Sequence, residues 1–152
     1  MITKAIRNIF RVNLNVKNSE SILVFTDRPS DEEVIEEEDR CRRERLRDIA
    51  VLTAETGKSF CKNLFYHEYT ATNSHGAEPP QELWAIAFGG KVFKKLKTEG
   101  LLESLINKKA GSAEIKKAEE IISKYKKYAV NAVVGLSNYS TSHTRFRDFL
   151  TR

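Results

Sequence analysis

Few residues of this chain carry the chemistry for proton transfer, nucleophilic attack or metal binding, and most of them fall into three short stretches. His75 and Glu78 belong to a His-Gly-Ala-Glu loop. His143 sits among Ser140, Thr141, Ser142, Thr144 and Arg145, and Thr26 and Asp27 close an apolar run. An imidazole beside a carboxylate is the usual pair for general acid–base work. A serine, a histidine and an aspartate can form a nucleophilic triad, and Ser140 or Ser142 with His143 and Asp27 supplies the types. Adjacent Ser142 and His143 project in different directions, however, and no Gly-x-Ser-x-Gly elbow is present. Metal binding needs three or four converging ligands, and His75, Glu78 and His143 are the three that three-dimensional proximity would have to bring together. Gly57-Lys58-Ser59 resembles the end of a phosphate loop, but a helical stretch precedes it and a strand follows, the reverse of the order such a loop requires. No glycine follows the first strand where a dinucleotide fold needs its fingerprint. The reading is therefore a binding cluster with no catalytic residue, no metal ligand set and no cofactor in this piece.

Those stretches are placed by the elements around them. Ile22-Leu23-Val24-Phe25 is apolar at every position, which suits a parallel strand covered on both faces. Leu64–Tyr69 reads as a second strand, with His67 a packed strand residue, and Ala129–Leu136 as a third. Between them come an amphipathic helix over Ile2–Val12 and a long helix beginning at Ser30 with Glu33 completing a capping box. A helix opened by Pro79-Pro80 is loosened at Gly89-Gly90, and helices follow over 101–109 and 113–128. A last helix starts near Thr144 with Ser142 as its cap. Seven acidic residues from Asp31 to Asp39 precede five arginines from Arg40 to Arg47. That order matches the helix dipole, and Glu36–Arg40, Glu38–Arg42 and Asp39–Arg43 are spaced as i,i+4 pairs.

Alternation of strands and helices implies α/β architecture: three layers, a short parallel sheet of about three to four strands with the first strand central, and helices on both faces. The carboxyl ends of such strands are where ligands bind, so Asp27, His75, Glu78 and Ser140–Arg145 are expected to converge on one edge. At 152 residues the chain is expected to form a single domain over 1–152. Its last unit is cut short, as in a truncated N-terminal domain of a longer protein.

Composition narrows the class further. Apolar residues make up 40% and charged residues 31%, with no run long enough to span a bilayer and no secretory leader pattern. Two cysteines without metal-type spacing, Cys41 and Cys61, suit free thiols in a cytoplasmic protein. The net charge of +5 is concentrated in residues 91–128, which hold eleven lysines against five glutamates. With no arginine there, a solvated lysine coat on helix faces is the expected role, and nucleic acid is not an expected partner.

Three stretches together resemble a known family. Arg7-Asn8-Ile9-Phe10 with the strand Ile22–Asp27, then Gly76-Ala77-Glu78-Pro79-Pro80, then Ser140-Thr141-Ser142-His143-Thr144-Arg145-Phe146-Arg147 resemble the N-terminal half of the thermophilic-type leucyl aminopeptidases, the aminopeptidase T family. The resemblance covers essentially the whole chain, with 91–128 as a helical, lysine-rich insert. It implies a metal-dependent aminopeptidase parent whose divalent-metal ligands lie in a separate C-terminal domain, none of them in these residues. It further implies that this piece forms part of the peptide substrate cleft or a homodimer contact, with Asp27, His75, Glu78, Ser140, Ser142, His143 and Arg145 as cleft candidates. A second reading from the residues is a stand-alone module for a small anion, held by Ser142 and the free amides that open the last helix.

Overall fold

The computed structural model describes residues 1–151, which form two compact units: Met1–Ala71 with Val130–Asn138, and Thr72–Ala129 with the residues from Tyr139 onward. The chain is α/β, and its sheet is parallel with three strands: β1 (Ser21–Arg28), β2 (Asn63–Thr70) and β3 (Ala132–Gly135). Strand order is β2-β1-β3, the arrangement expected from the crossovers. Ile22, Leu23, Val24 and Phe25 are all buried, so β1 hides both its faces, as its unbroken apolar run requires.

The first unit packs one face of this sheet under two helices. In α1 (Ile2–Asn8) the apolar spacing brings Ile6 inward, and the helix then widens into a π turn over Ile9–Asn13. Leu14 N–H reaches back five residues to the Ile9 carbonyl at 2.9 Å, and the wider turn seats Phe10 in a core with Ile22, Val24, Ala54 and Cys61. The helix α2 (Glu37–Gly57) begins six residues later than the Ser30 capping box implies, with Glu36 in the cap position. Arg43 explains the difference. Its guanidinium forks onto the two Glu33 oxygens at 2.9 and 2.6 Å and takes Asp39 at 2.8 Å. Glu33 is thereby committed to a partner ten residues ahead and does not reach back to cap Ser30. Among the i,i+4 pairs, Asp39–Arg43 forms; Arg40 and Arg42 pair instead at i,i+3 with Glu37 and Asp39.

The strand β3 is shorter than the eight residues expected, and Lys126–Tyr128 winds a 3-10 turn ahead of it. Its pairing with β1 is nonetheless clamped beyond both ends. Asn131 exchanges two hydrogen bonds with the Ser21 backbone at 2.7 and 2.8 Å, and Leu136 N–H donates to the Phe25 carbonyl at 2.9 Å. On β2, Glu68 accepts from the Tyr66 hydroxyl at 2.6 Å and from Arg47 at 2.9 Å. Burial pushes the Glu68 carboxyl up, but these donors outweigh it and hold it below the usual carboxylate range. A depressed carboxylate contributes stability that is present above its unfolded value and lost as pH falls through the folded one. Acid titration of unfolding free energy is therefore expected to fall less steeply below pH ~5 in Glu68→Gln than in the unaltered protein. Equal slopes would remove Glu68 from the acid sensitivity.

The second unit is helical. It comprises α3 (Gln81–Phe88), α4 (Gly90–Thr98), α5 (Leu101–Ile106), α6 (Ser112–Lys124) and α7 (Arg145–Leu150). α3 and α4 meet at Gly89, whose φ of 84° and ψ of 156° belong to glycine alone. Trp84 and Phe88 of α3 meet Phe146 and Phe149 of α7, with Trp84 ring centroids 5.4 Å from Phe88 and 5.5 Å from Phe146. Leu83, Val92, Leu96, Leu105 and Ala118 are buried in the same unit. The helices expected over 101–109 and 113–128 end earlier, at Ile106 and Lys124. Among the described residues no helix is long and apolar enough to cross a membrane.

Candidate functional site

The loop after β2 and the loop before α7 are stitched together within the second unit, although more than sixty residues separate them. Gly76 N–H donates to the Ser140 carbonyl at 2.8 Å, and Ser140 N–H donates to His75 Nδ1 at 3.1 Å. With Nδ1 accepting, the neutral ring carries its proton on Nε2. The His75 ring also lies 5.4 Å from that of Tyr139.

Glu78 makes the second connection. Its two carboxylate oxygens accept the backbone N–H groups of Arg145 at 2.5 Å and Phe146 at 3.0 Å. Those are the first amides of α7, which lack partners inside the helix. Burial pushes the Glu78 carboxyl above its usual range, opposed by the two N–H donors and by the charges of Lys108 and Arg145. The anion position expected from outside is thus filled by the chain's own carboxylate, which corrects the reading of those amides as free. Glu78 meets Arg145 through the backbone, while the Arg145 guanidinium pairs with Asp148 at 3.0 Å. Ser142 is not the cap of α7. Thr144 is, accepting Arg147 N–H at 3.1 Å and donating to the Thr141 carbonyl at 2.7 Å. Ser142 is instead drawn back to Ser140, hydroxyl to hydroxyl and N–H to Oγ at 3.1 Å.

Around Glu78 the same unit holds an open pocket of about 400 Å3, lined chiefly by Leu105, Lys108, Ser142, His143 and Arg145. His75 and Ser140 lie at its supporting loops rather than among its lining residues. Lys108 has no signal in the sequence that separates it from its neighbours. It adopts a left-handed φ of 55° just after α5, a conformation uncommon for a residue with a side chain. Asp27 belongs to the first unit, where its Oδ1 accepts Asn138 N–H at 2.6 Å. There it lines a separate cavity of about 480 Å3 with Arg28, Arg40, Arg43, Arg47 and Glu68.

The Ser140 and Ser142 hydroxyls bond each other and neither donates to an imidazole, so the nucleophile–base contact of a triad is not made. Glu78 is buried and each of its oxygens accepts one backbone N–H of α7. Among the described residues no three His, Cys, Asp or Glu side chains are grouped to hold a metal ion. Comparison with known protein families, with curated proteins and with solved structures gives no match for this chain.

Proposed function

We propose that this chain forms one wall of the substrate cleft, or a dimer contact, in a protein similar to metal-dependent aminopeptidases, and that it contributes binding and orientation without a catalytic group. One observation carries the reading. The two stretches most specific to the resemblance, Gly76–Pro80 and Ser140–Arg147, are bonded to each other through Gly76–Ser140, His75–Ser140 and Glu78 with the first amides of α7. They frame a single pocket in which Ser142, His143, Lys108 and Arg145 face a ligand. Glu78 fixes that frame from the pocket wall. The role as a small-anion module through the α7 amides loses its support, because Glu78 already occupies them.

The chain alone is expected to release no leucine from a leucyl amide, with or without zinc, cobalt or manganese. Robust metal-dependent release would overturn the proposal.

A further inference from the structure

The lysines of residues 91–128 do not coat the helices evenly. On α4, Lys91, Lys94, Lys95 and Thr98 stand at i, i+3, i+4 and i+7, so they share one face while Val92 and Leu96 turn into the core. Beside that face comes the end of α6 and the 3-10 turn, Lys124-Tyr125-Lys126-Lys127-Tyr128. A groove of about 310 Å3 runs here, lined by Lys91, Lys94, Lys95, Thr98 and Tyr125, without a single carboxylate in its wall. Glu99, at the end of α4, is held by Lys95 at 2.7 Å and by Lys117 at 2.6 Å.

The ammonium groups are also held in place. Lys91 Nζ donates to the Tyr128 hydroxyl at 2.8 Å and lies 4.5 Å from that ring's centroid. Lys127 lies 5.1 Å from the same ring, and Lys124 5.7 Å from the ring of Tyr125. Cation–π contact fixes long side chains that otherwise lose rotamer freedom on binding. Lys91 accordingly pulls the Tyr128 hydroxyl below its usual range.

We propose that this groove binds the phosphate backbone of single-stranded nucleic acid, independently of sequence. A row of positioned ammonium groups with hydroxyls between them matches phosphodiester oxygens. An anionic membrane presents similar charge, but membrane-surface helices insert large apolar side chains beside their lysines. α4 and α6 expose none, and Tyr128 is the sole large hydrophobic residue exposed between 91 and 128.

The test is fluorescence anisotropy of the full chain with a labelled 20-nucleotide oligothymidylate. Micromolar binding is expected at 50 mM salt, with a log–log salt slope of roughly −3 for four to five neutralised phosphates. The triple substitution Lys91→Met, Lys94→Met, Lys95→Met should weaken binding at least tenfold and reduce the slope by about 2. The triple substitution Lys4→Met, Lys17→Met, Lys62→Met changes net charge equally, yet affinity should stay within twofold. Both variants alter exposed side chains, and circular dichroism checks that each keeps its fold. Equal losses in the two variants would overturn the groove as a site. So would absence of binding to the oligonucleotide, or binding to phosphatidylserine vesicles alone. None of these outcomes touches the cleft proposal, which rests on other residues.

Discussion

Glu78→Ala should lower the unfolding free energy by about 3 kcal/mol, because two amides at the start of α7, that of Phe146 buried and that of Arg145 part-buried, lose the carboxylate that accepts them, at ~1–3 kcal/mol each. The Phe146 amide lies in a buried setting, and Phe146 itself is 1% exposed. In a protein of marginal stability that loss is a large share of the total. The carboxylate is also the post on which α7 hangs, and α7 presents Phe146 and Phe149 to Trp84. Denaturant titration should therefore show a lower midpoint together with altered Trp84 emission in the folded state. Glu78→Gln retains one oxygen acceptor and should lose roughly half as much. A loss under ~1 kcal/mol in the alanine variant would mean that the amides find other partners and that Glu78 does not organise the pocket.

Gly89→Ala is expected to cost about as much or more, roughly 3–5 kcal/mol, by a different route. The backbone there has φ 84° and ψ 156°, and an added Cβ would sit 2.5 Å from the Tyr128 carbonyl oxygen. That neighbour is backbone, so it cannot rotate aside. Relief requires moving the α3–α4 junction or the 3-10 turn that carries Tyr128. Gly90→Ala is the internal control. It stands at the first position of α4 with nothing within 4 Å of the added carbon, so it should be neutral or stabilising by up to ~1 kcal/mol. Indistinguishable thermal midpoints for the two variants would show that the Gly89 conformation is not required.

Residues whose fate is decided locally were legible before any coordinates. Ile22–Phe25 announced a strand buried on both faces, and the helical crossovers placed that strand in the middle. The Gly89-Gly90 pair signalled a break between helices, although only the backbone angles show that Gly89 is the one that matters. Positions settled by distant partners were not legible. Ser30 and Glu33 have the spacing of a capping box, and Arg43, ten residues later, takes the glutamate away. Glu78 was a plausible cleft acid, yet its role depends on amides 67 and 68 residues ahead. Ser142 and Thr144 are equally good caps by type, and the Ser140 hydroxyl decided between them. For the lysines, composition gave the charge but not its placement. Spacing along α4 puts three on one face, and only the fold brings Tyr125 and Tyr128 beside them.

The placement of β1 between β2 and β3 has a consequence for how the chain is made. β2 follows β1 by about forty residues, whereas Ile22 waits 110 residues for its partner Ala132 on the other side. At ribosomal rates of about 5–20 residues per second, the second edge of β1 stays unpaired for roughly 5–20 s after that strand emerges. Throughout that interval an Ile-Leu-Val-Phe strand offers free backbone donors and acceptors to any passing nascent chain. The acidic run Asp31–Asp39 and then the arginines of α2, translated next, keep charge beside this strand while it waits, and chaperones that shield short apolar segments should engage the chain between the synthesis of Phe25 and that of Val134.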